Sequence, residues 1–134
     1  MPAPDAIEVP GAVLDALIAQ AIAGVPLEQC GLLIGDGDRV VRAHPAGNAD
    51  RSPTRYTIEP ADHFAALRTA RADGLAVIGA WHSHPAGPPV PSATDLAEGN
   101  PGFLYLIVGL APSPAVRAWQ LVGGNFAPRH LVRT

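Results

Sequence analysis

The sequence predicts one domain of mixed α/β or α+β class, with a central mixed β-sheet flanked by helices. Three observations carry this. Short apolar runs of strand length share the chain with two longer stretches whose apolar residues recur at helical spacing. Gly-rich turns separate two pairs of neighbouring runs, the signature of antiparallel hairpins. A chain of 134 residues, 48% hydrophobic and 16% charged, can bury one core and has no room for a second domain.

Residues 11–24 place Leu14, Leu17, Ile18, Ala21 and Ile22 at helical spacing, with Pro10 ahead and Gly24 then Pro26 behind, which predicts an amphipathic first helix. Residues 30–34 and 39–43 flank Gly35-Asp36-Gly37-Asp38 and read as a hairpin. Residues 44–53 are polar and Gly/Pro-punctuated, a loop, after which 55–58 alternates as a strand ended by Pro60. A second helix is expected over 61–73, with Phe64, Leu67 and Ala70 on one side and Gly74 as its stop. Residues 75–82 form a nearly unbroken apolar run, a buried strand. Four prolines and one glycine make 85–91 a stiff surface loop. A short helix over 92–98 is entered through Ser92; a strand over 103–110 follows, and 116–122 with 126–132 form a terminal hairpin around Gly123-Gly124-Asn125.

A net charge of −3 argues against a nucleic-acid partner, because binding to phosphate needs a basic face. All nine basic residues are arginines, so no lysine is available as a Schiff-base nucleophile. The single cysteine excludes an internal disulfide framework and a Cys-rich zinc site. The first ten residues have neither a basic nor an apolar leader region and no run is long enough to span a membrane, so a cytoplasmic protein without membrane contact is expected.

His82 and His84 lie two apart at a strand end, where side chains alternate, so both imidazoles share one face. Asp95 lies one turn inside the short helix, and the proline loop is long enough to return its carboxylate to the pair. Two histidines and one carboxylate make the three-ligand set of a catalytic zinc, with the fourth position left for water. Ser92-Ala93-Thr94-Asp95 also fits a helix N-cap with no metal at all. Glu28, just ahead of the first hairpin, reads by itself as a solvated loop residue, although a hydrolytic zinc site also needs a carboxylate outside the metal shell to move protons. Trp81 and Ser83 should face the other side of the strand, with Trp81 packing in the core. Cys30 reads as an inert buried thiol; His44, His63 and His130 fit no ligand spacing; and Arg42, Arg51 and Arg55 are either solvated or line a groove for an acidic partner.

Pro26-Leu27-Glu28-Gln29-Cys30-Gly31-Leu32-Leu33, then His82-Ser83-His84-Pro85, then Ser92 and Asp95, resembles the JAMM (MPN+) metalloprotease family of the Mov34/MPN/PAD-1 group. The family's pattern is an upstream Glu, His-Ser/Thr-His-Pro, seven residues to a Ser and two more to an Asp. The resemblance covers roughly residues 7–132. It implies a JAMM/MPN-like, cytidine-deaminase-like single domain, zinc on His82, His84 and Asp95, Glu28 as general base and acid, and Ser92 as the hydroxyl steadying the oxyanion. The short chain looks like the stand-alone prokaryotic members. Their association with ubiquitin-like sulfur carriers implies hydrolysis at a carrier's C-terminal Gly-Gly, releasing cysteine or another amino acid. The stretch from Asn48 to Thr54, then Tyr56, is similar to the region before the second helix in cysteine-releasing members. The competing expectation is a non-catalytic MPN-type scaffold module, disfavoured because the ligands and Glu28 are all retained. A zinc deaminase would need a Pro-Cys-x-x-Cys pair that one cysteine cannot supply. A homodimer is a further expectation, should the exposed apolar stretches form an interface.

Overall fold

The computed structural model describes residues 4–134, and within them seven strands and three helices follow in the order β1 (Ala6–Val9), α1 (Gly11–Ala23), β2 (Cys30–Asp36), β3 (Arg39–Ala46), α2 (Pro60–Ala72), β4 (Ala76–His84), α3 (Ala93–Glu98), β5 (Leu104–Gly109), β6 (Ala115–Val122) and β7 (Asn125–Arg133). Residues 1–3, the start of the segment read above for a leader, lie outside the described residues. No described helix is long and apolar enough to cross a membrane.

The expected mixed sheet is present, and it closes on itself in the order β1-β3-β2-β4-β5-β6-β7. β4 pairs with β5 in parallel, and β1 closes the ring by pairing in parallel with β7 along its length and with β3 at Glu8. The other neighbours are antiparallel. β1 has no counterpart among the sequence expectations, because its four residues include the exposed Glu8 and give too little alternation to stand out.

Both hairpins close through two-residue turns at the expected places. Gly37 has φ 58°, and Gly123 and Gly124 have φ 59° and 80°, the left-handed conformations that match strand twist at such turns. β3 runs three residues further than its apolar run, through Pro45 to Ala46. Proline is tolerated there because β1 reaches β3 only at Arg39, so the outer side of β3 near Pro45 needs no ladder donor.

Period-two alternation divides the core. Leu33, Trp81 and Leu106 pack with Leu14, Leu17 and Ala21 of α1, while Leu32, Ala80 and Tyr105 pack with Ala66 of α2. Trp81 is thus the core residue the sequence predicts. Each fully buried Leu or Ile in these clusters contributes roughly 1.5–3 kcal/mol. His82 and His84 share strand parity with Ala80 and so belong to the α2 side.

Two expectations are corrected. The α2 face turned to the sheet is built from Ala66 and Ala70, whereas Phe64 and Leu67 are 61% and 42% exposed. Small side chains let the helix sit close to the sheet, and this rotates the larger pair outward. The strand expected over 55–58 is reduced to one bridge between Asn48 and Ile58. The Asn48 side chain takes the Arg55 carbonyl and the Thr57 N–H, groups that a neighbouring strand would otherwise have used.

Candidate metal centre

β4 delivers His82 and His84 at its C-terminal end, side by side with β5 through the pairs His82–Ile107 and His84–Gly109. The proline loop then folds back over this end. Its backbone comes so close to Gly109 that an added Cβ would lie 2.3 Å from Pro89 N and 2.5 Å from the Pro88 carbonyl carbon. Trp119 Nε1 fixes the loop by donating to Pro89 O at 3.1 Å. We expect Gly109→Ala to cost about 1–3 kcal/mol through overpacking and to weaken metal binding by displacing Pro88, both measurable by thermal melts with and without zinc.

Ser92 N-caps α3, and the cap positions Asp95. Ser92 Oγ accepts from Asp95 N–H at 3.0 Å, and Ser92 N–H donates to Asp95 Oδ2 at 2.9 Å. The capping reading of this tetrapeptide and the ligand reading therefore describe the same geometry. Because Ser92 Oγ is an acceptor in the cap, its own O–H stays free to donate.

The three side chains meet. His82 Nε2 lies 3.1 Å from His84 Nε2 and 3.1 Å from Asp95 Oδ2, and His84 Nε2 lies 3.2 Å from the same oxygen. Three lone-pair-bearing atoms at such separations repel unless a proton or a cation sits among them. A tetrahedral ion with bonds of about 2.0–2.1 Å spaces its ligands about 3.3–3.4 Å apart, close to this triangle. His84 Nδ1 donates to Pro88 O at 3.0 Å, which fixes the tautomer that turns an Nε2 lone pair toward the centre. The donor set and its spacing fit zinc.

Electrostatics follow from burial and from these contacts. Burial holds His82 below the ordinary histidine value against the pull of Asp95. His84 is also disfavoured by burial, yet its bonds to Asp95 and Pro88 outweigh this and leave it raised. Burial by itself would raise Asp95, but bonds from His82 and His84 hold it well below the usual carboxylate range. Glu28 is only 3% exposed, and burial pushes its carboxyl up to about 7, with His84 opposing and Asp95 adding to the rise. A carboxyl poised near neutrality beside a three-ligand site can both accept and return a proton.

The remaining candidates lie apart from the triangle. Cys30 is fully buried, with its thiol directed at the carbonyls of Ala46 and Gly47, and burial followed by the nearby Glu28 pushes it up to about 12, so it is inert. Arg42 pairs with Asp73, and Arg55 pairs with Glu98 at 2.5 Å and Asp50 at 3.5 Å. Both guanidinium groups are thus held in exposed ion pairs. Arg51 is exposed. His44 is half-buried and bonds only its neighbour's carbonyl, whereas His63 lines a cavity of about 260 Å³ that also reaches Asp95, Tyr56 and Tyr105.

Sequence reasoning gave no role to Tyr56, whose ring stacks on His82 with centroids 4.5 Å apart at 23° and covers that buried imidazole. Alternation over 55–58 marked Tyr56 only as part of a strand, and its place in the similar stretch from Asn48 was the only other signal, since a contact with a residue 26 positions away leaves no trace in local spacing.

The comparisons agree with this geometry. Residues 10–122 match the family model described as prokaryotic homologs of the JAB domain. The chain is 35% identical to a desampylase from Haloferax volcanii over 84% of this chain and 85% of the relative. It is 37% identical to a CysO-cysteine peptidase from Mycobacterium tuberculosis over 84% of this chain and 80% of the relative. A JAB1/MPN domain protein from Archaeoglobus fulgidus superposes with a TM-score of 0.57 at 19% identity, covering 94% of this chain and 96% of that one, a likeness of fold.

Proposed function

The chain belongs to the family of prokaryotic homologues of the JAB domain, and from that premise we propose that it is a zinc-dependent peptidase or isopeptidase. Its substrate is a small ubiquitin-like or sulfur-carrier protein, cleaved at the bond after the C-terminal Gly-Gly with release of cysteine or another amino acid. The desampylase and CysO-cysteine peptidase relatives support this substrate class. A cytoplasmic setting is part of the same reading. The observation that carries it is the convergence of His82, His84 and Asp95 at 3.1–3.2 Å beside the buried Glu28 carboxyl.

His82, His84 and Asp95 would hold the zinc, which when bound supplies Lewis acidity toward a carbonyl and water acidified to a pKa of about 7. Glu28 takes a proton from the attacking water on its carboxylate and returns it to the departing amine. The Ser92 hydroxyl, free to donate, stabilises charge growing on the scissile carbonyl oxygen. Tyr56 shields His82 from solvent. A Gly-Gly tail suits a groove beside strands, where main-chain pairing gives affinity and residues without side chains pass.

The test uses a carrier protein ending in Gly-Gly with cysteine in amide linkage. Mass spectrometry should find cysteine released by the zinc-loaded protein, no release after chelation, and recovery when zinc is returned. A loaded protein that leaves the adduct intact argues for the scaffold reading instead.

A further inference from the structure

Glu28 does its work with a carboxyl that no described side chain steers. Its Oε1 is buried and has no hydrogen-bond partner. Its aim is therefore set by the backbone that carries it, and that backbone is held on both sides. Glu28 N–H donates to Ser52 O at 2.9 Å, and Glu28 O accepts from Asn48 Nδ2 at 3.1 Å. Gln29 N–H donates to Ser83 Oγ at 2.8 Å, and its carbonyl accepts from Ser83 N–H at 3.0 Å. All four main-chain polar groups of this dipeptide are held. Two are held by the residue between the metal-site histidines and two by the loop over residues 47–59.

Asn48 is the hub of that loop. Its Nδ2 donates to Glu28 O and to Arg55 O, each at 3.1 Å, while Oδ1 accepts from Asp50 N–H at 3.0 Å and Thr57 N–H at 3.1 Å. A side-chain amide has two donors and an acceptor with two lone pairs, so every capacity is used. Aspartate has the same shape but would turn an oxygen toward two carbonyls, and glutamine is one methylene too long. The same loop sends Tyr56 onto the His82 ring, so one element touches both the base and a ligand.

We propose that Asn48 is a positioning residue that fixes the Glu28 carboxyl relative to His82, His84 and Asp95 by clamping the Glu28 backbone. This rests on the assignment of Glu28 as the proton-transfer group. Asn48 bonds none of His82, His84 and Asp95 and reaches the cavity beside Asp95 only through the Thr57 backbone, so its loss should act chiefly on the aim of the base and spare metal and substrate binding.

The experiment compares zinc-loaded wild type, Asn48→Asp and the milder Asn48→Ser in zinc content, steady-state kinetics on the carrier adduct, and amide hydrogen exchange. Misplacing a reacting group by about 1 Å costs roughly 100-fold, so kcat should fall roughly 10- to 100-fold with KM within about twofold of wild type. One zinc per chain should remain. Exchange at the Glu28 amide, bonded to Ser52 O, should quicken at least about tenfold while Trp81 in β4 stays protected. Full kcat in a folded, loaded Asn48→Asp overturns the proposal. So does loss of zinc or of folding in both variants, which assigns Asn48 to the scaffold alone. An inactive wild type overturns the hydrolase reading together with this one, whereas an active wild type beside equally active variants overturns only the role of Asn48.

Discussion

Glu28→Gln should lower turnover by roughly 100- to 10,000-fold, the range that loss of a positioned acid–base group costs, while leaving one zinc bound per chain. Glutamine keeps the size and the buried position but neither takes a proton from water nor returns one to an amine. Initial rates on the carrier adduct, alongside elemental analysis, check both halves. Zinc loss in this variant would move Glu28 from proton transfer to metal binding. The substitution has a second signature in the metal-free protein. The folded-state value of Glu28, about 7, lies above its ordinary 4.5, so the group favours folding fully below pH 4.5 and loses that contribution as pH rises through 7. The Gln variant, which never ionises, should therefore melt several degrees above wild type at pH 8, and the difference should shrink toward acid pH.

Asp95→Asn should empty the metal centre and abolish hydrolysis. Asp95 Oδ2 is the corner where bonds from both histidines and from Ser92 N–H meet, and of the three proposed ligands it alone is a carboxylate. Removing that charge leaves two neutral imidazoles, too weak a set for tight zinc binding. Outer-shell partners alone are worth roughly 10–100-fold in affinity, so losing this direct ligand should exceed that. Equilibrium dialysis against a zinc indicator measures it, with His84→Ala as the parallel case. Retained stoichiometric zinc in both variants would show that the triangle is not where the ion binds. The two variants together separate the roles: one keeps metal and loses chemistry, the other loses both.

Much of the site was legible along the chain because its spacing is local. Two positions on a strand put His82 and His84 on one face whatever the rest of the fold does, and Ser92 with Asp95 forms a cap within one turn. The hairpin turns were equally plain, since Gly37, Gly123 and Gly124 adopt conformations that other residues resist. Other features were not legible. β1 is too short to show a period, and its pairing with β7 joins residues at opposite ends of the chain. The face of α2 was misjudged because apolarity favours Phe64 and Leu67, whereas close approach to the sheet favours Ala66 and Ala70. The expected strand over 55–58 gave way to the Asn48 network, a set of side-chain bonds that no periodicity reports.

The sequence by itself determined the two hairpins, the buried strand bearing His82 and His84, and the cap that joins Ser92 to Asp95, because each depends on chemistry or on spacing within a few residues, whereas Glu28 was marked only by the resemblance. Only the tertiary structure decided that Glu28 is buried beside the triangle, that its backbone is held by Asn48, Ser52 and Ser83, and that Tyr56 covers His82. Those contacts join segments about twenty to fifty residues apart, and they form only once the closed sheet has brought β2 against β4 and packed the loop before α2 across them.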